Sequence, residues 1–490
     1  MGLDRRRNSD GLCDGLCYHS VVGNGWLYGV VALMCGGLVG YSQMTTLDWD
    51  EGFHLVAASL IAAGKRPYID FCFPQPSMHA WWNALWLQST GGGWRGPHVV
   101  ASLLTGGAIA MTAEFVYWRF PVPAWRLPAA CTAALLLGLN AVVFEFGTKA
   151  QAYGACTFLT VAAFRSAIAR RALITGCIAG AAAGCSLLTA PACAVLFVWH
   201  CRQRNWRPPL AFLAGVVVPL VPVLVSLATA PDQTWFNLVG YHVLFRHVGW
   251  TGATEHDFEV LTSWARSGPA LLLGLLAVAG LYFVRSQKGF ASDHKAEFYL
   301  AGWMAIGLTV EAAFAHPTFP QYFIFVIPFL AILAAMGFCE VAPRLSLPAR
   351  WGVPVLGVLL LVGLANSLVE TRDENNSWTG MDELARRIEQ VTPADATVLA
   401  DPPVYFALRR LPPSGMEFPA THALELPAQM AAALHIVPQS VLKSRVRAGD
   451  FATVETCRGG EDEIRSLNLS QFYARSESIA DCEVYWEFKK

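Results

Sequence analysis

The sequence predicts a polytopic α-helical membrane protein of about eleven spans that ends in a small soluble α/β domain. Three observations carry this reading. Hydrophobic residues make up 54% and charged residues 14% of the 490, with a mean hydropathy of +0.40, whereas about a quarter of a soluble chain is charged. Apolar runs approaching the ~20 residues a bilayer requires recur between residues 25 and 370. From Asp373 onward the composition becomes that of an ordinary soluble protein.

The basic N-terminus, residues 1–24, precedes an apolar stretch that runs into "SQMTTLDWD" without a small-residue cleavage site, so it reads as a cytoplasmic lead into an uncleaved first span. Further runs cover 98–118, 127–144, 150–165, 172–200, 209–230, 268–284, 298–315, 321–340 and 351–369. Splitting 172–200 at "LLTAP" into two short helices places the connectors with Arg119 and Arg126, Arg165 to Arg171, Arg202 to Arg207, Arg285 to Lys295, and Arg344 and Arg350 all on the side of Arg5, Arg6 and Arg7. That is the positive-inside pattern, and it fails without the split. The outer face then receives residues 44–97, a second large loop at 231–267, and the domain 371–490. In that domain "MDELARRIEQV" has helical period, and "ATVLAD" and "DCEVYWEF" read as strands.

A net charge of −1 and dispersed basic residues give no nucleic-acid-binding face. Most of the thirteen cysteines lie in apolar runs as small hydrophobes, and Cys13 and Cys17 lack partners for a zinc site. Cys457 and Cys482, in the polar tail, are the pairable ones if that tail is extracytoplasmic.

The stretch "DWDEGFHLVAASLIAAGKRPYIDFCFPQPSMH" (48–79) crowds Asp48, Asp50 and Glu51 where the first span leaves the membrane, with Asp70 beyond the next helix. One reading is structural: Asp48 or Asp50 caps that helix, Glu51 favours its first turn, and Gly64 ends it. The other is chemical. Phe53, Val56, Ala57, Leu60 and Ile61 form one apolar stripe, so the helix should lie in the interface plane. Acids at its start would sit at headgroup depth, where a carboxylate can serve as general base on a hydroxyl acceptor. A leaving phosphate needs cations and donors facing the same space. Lys149, Gln151 and Tyr153 in "GTKAQAY", His316, Gln321 and Tyr322 in "HPTFPQYF", and His242, Arg246 and His247 in "GYHVLFRH" lie in loops of that face.

The run "DEGFHLVAASLIAAGKRPYIDFCFPQPSM" resembles the first outer loop of bacterial GT-C glycosyltransferases of the protein-mannosyltransferase-like type (family 39, ArnT-like), and the likeness continues in "GAAAGCSLLTAPA", "HPTFPQYFIFVIPFLAILAA" and "ARRIEQVTPADATVLADPPVYFALRRLPP". The resemblance implies a GT-C fold and an inverting transfer of a sugar from a polyprenyl-phosphate carrier to a glycan, lipid or protein acceptor outside a bacterial inner membrane. It makes Asp50 the base, Asp48 its rival, and Glu51 and Asp70 supporting carboxylates. On this reading the outer-loop residues Lys149, Gln151, Tyr153, Arg246, His316, Gln321 and Tyr322 meet the donor phosphate, with Lys149 standing where relatives often carry Arg. Where relatives have a Lys-Pro-Pro or His-Pro-Pro style segment, this chain reads "FPQPSMHAWW", with His79 as a stand-in or as part of a turn back into the membrane. No cofactor is demanded, although two of the outer acids could hold a divalent cation. Two other classes compete: a flippase for lipid-linked sugars, which Glu114, Glu145 and Glu311 near span ends keep open, and a noncatalytic envelope assembly protein.

Overall fold

The structure, a computed structural model, describes residues 13–202, 205–245, 252–287, 291–344, 348–370, 378–457 and 462–489. Helices stand on each of the apolar runs. After α1 (Cys13–Ser42), two helices of the first loop, α2 (Trp49–Ala62) and α3 (Met78–Ser89), precede α4 (Arg95–Arg119), α5 (Arg126–Gly138), α6 (Ala141–Phe146) and α7 (Ala152–Ile168). The 172–200 run is broken as its "LLTAP" suggests: α8 (Ala172–Cys185) ends at extended Ser186, and a 3-10 turn leads into α9 (Ala190–Cys201). The chain continues through α10 (Arg207–Thr229) and α11 (Pro231–Trp235) into a π-helical segment, Phe236–Phe245. Next come α12 (Ala253–Arg266), α13 (Gly268–Ser286), α14 (Ser292–Phe314), α15 (Ile327–Arg344) and α16 (Ala349–Glu370).

Among the described residues six helices are long and apolar enough to cross a bilayer, those in α1, α4, α10, α13, α15 and α16, with shorter apolar helices between them. The chain is an integral membrane protein. Its outward surface fits that solvent: α10 exposes Val217, Val218, Leu224 and Val225. Helix contacts rely on small residues, because lipid offers no hydrophobic drive for helices to associate. A Cβ on Gly280 of α13 would sit 1.9 Å from the Leu333 carbonyl oxygen of α15, and one on Gly337 would sit 1.9 Å from that of Leu276.

Charge separates the two ends of the bundle. Arg119 at the end of α4 meets Glu297 near the start of α14 at 2.5 Å, Arg170 reaches Asp293 at 3.3 Å, and Arg165 reaches Glu114 at 3.4 Å. The opposite ends of α4, α7 and α14 adjoin the first loop and the C-terminal domain.

The C-terminal domain comprises α17 (Trp378–Val391), β1 (Val398–Leu399), α18 (Pro402–Ala407), α19 (Ala428–Ala433), α20 (Gln439–Ala448), β2 (Thr453–Cys457), the short α21 (Asp462–Arg465), β3 (Tyr473–Ile479) and β4 (Cys482–Phe488). Its sheet has the order β1-β2-β4-β3, with β1 and β2 parallel and the other pairs antiparallel. The register sets Cys457 opposite Cys482, and the two form a disulfide.

This domain shares a core with the first loop, in which Phe53, Val56 and Ile61 of α2 pack with Leu384, Val404, Tyr405, Phe418 and Trp486. The apolar stripe of α2 is buried as its period requires, and the other side is covered as well. Gly52 makes that possible: a Cβ there would lie 2.4 Å from the Pro403 nitrogen of α18. Trp378 seals the seam by stacking on Trp94 at 3.8 Å.

Candidate active site

The first turn of α2 sends its three acids to different places. Asp48 is the N-cap, and its Oδ1 accepts from Glu51 N at 2.7 Å. The same carboxylate receives Lys149 Nζ at 2.7 Å and Gln151 Nε2 at 2.9 Å. Glu51 stands where a capping box would turn its side chain back to the cap. It is instead fully buried, with Oε1 accepting from Ala150 N at 2.6 Å and paired with His98 Nε2. His98 Nδ1 lies 2.7 Å from the Ser42 carbonyl, so the ring bridges Glu51 to the end of α1. Asp48 and Glu51 therefore bind α2 to the α6–α7 turn and to the start of α4.

Asp50 faces elsewhere. It lines a cavity of about 760 Å³ bounded by α2, the 73–76 segment, the starts of α7 and of the 187–189 turn, the ends of α14 and the π-helical segment, and the C-terminal domain. His54, one helical turn on, lines it too, and burial pushes its imidazole down to about 3, so it is neutral. Trp49, Phe53, Tyr241 and Phe418 form an aromatic wall, with Phe53 and Phe418 edge-on at 4.8 Å and Tyr241 and Phe418 at 5.7 Å. The far wall carries Leu187, Leu188, Glu311 and Phe314, and Phe314 and Leu187 are also exposed on the bundle's apolar surface. Gln151, Tyr153, His316 and Tyr322 stand between. No lysine or arginine is among the described lining residues.

Neighbouring contacts fix these side chains. Tyr153 packs against Phe325, with ring centroids 5.8 Å apart. His316 Nδ1 is bonded to Asp257 of α12, whose other oxygen accepts from Thr318 N at 2.6 Å. The 72–76 segment is held by Asn237 Oδ1 at Phe73 N (2.7 Å), by His242 Nε2 donating to the Pro74 carbonyl (2.7 Å), and by the Tyr68 hydroxyl donating to the Gln75 carbonyl (2.8 Å).

Of the site residues singled out in the sequence, Asp50, Gln151, Tyr153, His242, His316 and Tyr322 line the cavity, and Gln321 is not among its lining residues. Lys149 lies against Asp48 and is not a lining residue. Burial works against its charge, but Asp48 and Glu145 outweigh that and hold its pKa above the ordinary value. Asp70 sits on the surface, paired with Arg66 at 2.9 Å, which keeps its carboxyl below the usual range. His79 is buried beneath His54 with ring centroids 5.5 Å apart, and burial drives its pKa well down. Arg246 and His247 fall outside the described residues.

The sequence reading missed His54, Gln75, Asp257 and Phe418. His54 could have been found from its i, i+4 spacing to Asp50; Phe418 and Asp257 reach the site only through tertiary packing. Among the described residues one group of three potential metal ligands lies within 4.8 Å, Glu455, Cys457 and Cys482, and the disulfide occupies both sulfurs.

Bundle, first loop, C-terminal sheet domain and shared cavity together define a membrane protein of ArnT-like fold. The fold is similar to that of ArnT from Cupriavidus metallidurans. The ArnT structure bound to undecaprenyl phosphate superposes with a TM-score of 0.66 at 16% identity, covering 94% of this chain and 98% of that one. The apo structure gives 0.68 at 17% identity, covering 95% and 98%. No protein-family model matches the sequence, and no curated protein matches it.

Proposed function

We propose that this protein is an inverting glycosyltransferase that moves a hexosyl or pentosyl group from a polyprenyl-phosphate donor to an acceptor hydroxyl in the cavity beside Asp50. The observation that carries the reading is the division of labour on α2. Asp48 and Glu51 are engaged in holding the helix, whereas Asp50 is turned into a cavity that reaches the apolar flank of the bundle. The fold it shares with an ArnT bound to undecaprenyl phosphate supports a lipid-phosphate donor.

In this mechanism Asp50 accepts the acceptor's proton as the hydroxyl oxygen attacks the anomeric carbon. The bond from that carbon to the phosphate oxygen breaks on the opposite face. The departing phosphate is met by Tyr153, His316 and Tyr322, while Leu187, Leu188 and Phe314 receive the first prenyl units. The acceptor rests on Trp49, Phe53, Tyr241 and Phe418. Lys149 tethers Asp48 instead of binding phosphate.

The Arg–acid pairs at the bundle end away from the cavity support an orientation with residues 1–24 in the cytoplasm and the cavity and residues 371–490 outside a bacterial inner membrane. On this reading residues 25–370 form the transferase membrane domain. The test is turnover of a panel of synthetic polyprenyl-phosphate sugars by purified protein in nanodiscs. Carrier-dependent sugar transfer is the expected result. Movement of labelled carrier lipid between liposome leaflets without sugar transfer would instead favour a flippase, the reading that Glu311 in the cavity wall keeps in play.

A further inference from the structure

His316 is held in the cavity wall by a second helix. It follows the C-terminal end of α14, lines the cavity, and keeps a quarter of its side chain exposed. Its support comes from α12. Asp257 bonds Nδ1 with one carboxylate oxygen and the backbone nitrogen of Thr318 with the other, at 2.6 Å. The preceding residue, His256, donates from Nε2 to the Thr318 carbonyl at 3.1 Å. Both backbone groups of Thr318 and the imidazole of His316 are thus held by two consecutive residues of one helix. Holding the loop alone would not require a carboxylate on the ring.

A carboxylate on Nδ1 fixes that nitrogen as a donor, sets the ring plane, and turns Nε2 to the opposite edge. It also balances the charge of a ring carrying protons on both nitrogens. Such a ring donates from Nε2 to an anionic oxygen through a short charge-assisted bond. Tyr153 and Tyr322 line the same cavity.

We propose that Asp257 is a positioning residue for the donor site: it holds His316 so that Nε2–H meets a phosphate oxygen of the polyprenyl-phosphate donor and of the lipid phosphate that leaves. This rests on the function proposed above. It adds a residue from α12 that neither touches the substrate nor lies near the acids of α2 in sequence.

The experiment is equilibrium binding of undecaprenyl phosphate to the full-length protein in nanodiscs, with thermal stability measured alongside. Wild type is compared with His316→Gln, Asp257→Asn, Asp257→Glu and the double variant Asp257→Asn/His316→Gln. Losing one hydrogen bond to a charged group should weaken binding about tenfold in His316→Gln and comparably in Asp257→Asn. The double variant should bind like His316→Gln alone, because Asp257 acts through that ring, and Asp257→Glu should recover most of the affinity. Unchanged binding in Asp257→Asn, or losses that multiply in the double variant, would overturn the proposal and reduce Asp257 to a support for the Thr318 backbone. If Asp257→Asn does not fold, Asp257→Glu with and without His316→Gln carries the same comparison. Failure of wild type to bind undecaprenyl phosphate would instead overturn the donor assignment, and this inference with it.

Discussion

Replacing Lys149 with Met distinguishes a tether from a phosphate ligand. Lys149 Nζ lies 2.7 Å from Asp48 and 3.6 Å from Glu145, and only 10% of its side chain is exposed. Two unit charges at that shorter distance attract by about 6 kcal/mol at an effective dielectric near 20, before desolvation is subtracted. Removing one member of a buried pair costs about 3–5 kcal/mol, because the other is left uncompensated. Asp48 is 31% exposed and keeps its bonds from Gln151 and Glu51 N. Those two features lower the expected loss to roughly 2–3 kcal/mol. Methionine preserves the length and apolar stem of the side chain, so packing changes little. The assay is thermal unfolding in nanodiscs of Lys149→Met, Asp48→Asn and their combination, with undecaprenyl phosphate affinity measured on each. Lys149→Met should be destabilised and should bind the lipid within about twofold of wild type, and the double variant should cost less than the sum of the singles. A variant as stable as wild type whose lipid affinity falls tenfold would refute the tether and return Lys149 to the phosphate.

Two further predictions concern the C-terminal domain. Gly52→Ala puts a Cβ 2.4 Å from the Pro403 nitrogen and 2.5 Å from its Cδ, so α2 and α18 must separate. Overpacking of this kind costs about 1–3 kcal/mol, and limited proteolysis should cut the C-terminal domain earlier than in wild type. Glu417 is buried beside Phe418 with Oε2 unpartnered, and burial pushes its carboxyl up to about 7 from an ordinary 4.5. The folded state then binds more protons than the unfolded one between those values. Its contribution is intact below about pH 4.5 and is lost as pH rises toward 7. Glu417→Gln should therefore match wild type in thermal unfolding near pH 4.5 and exceed it at pH 8, by on the order of 2–3 kcal/mol. Equal stability at both pH values would show that Glu417 is not held protonated.

The sequence made the membrane spans legible because the bilayer imposes a length and an apolar composition on each, and the basic connectors mark one end of the bundle. The break in the 172–200 run could be read from "LLTAP" and from the placement of arginines. In the C-terminal domain β1 and β4 were visible, but β2 and β3 were not: "ARSES" is polar and mostly exposed, with no alternation to mark it. The acid cluster pointed to α2, yet it could not separate Asp48 as cap and Glu51 as strut from Asp50, which lines the cavity. That division is set by Lys149, Gln151, Ala150 and His98, about 50 to 100 residues away in sequence. Phe418 and Asp257 left no local signal because each reaches the cavity from an element that packs against it only in the folded chain. Sequence proximity likewise drew Asp70 and His79 toward the site, whereas Asp70 pairs with Arg66 at the surface and His79 is buried under His54.

The most direct measurement of the central claim is sugar transfer by Asp50→Asn beside Asp48→Asn, each with its lipid affinity and thermal stability. Loss of a general base lowers turnover by about 10²–10⁴-fold, and that loss is expected in Asp50→Asn with lipid binding and stability retained. Asp48→Asn should instead be less stable while its folded fraction still turns over. Full transfer by Asp50→Asn, or loss of transfer in an Asp48→Asn protein as stable as wild type, would contradict the account and move the base to Asp48 or out of this helix altogether.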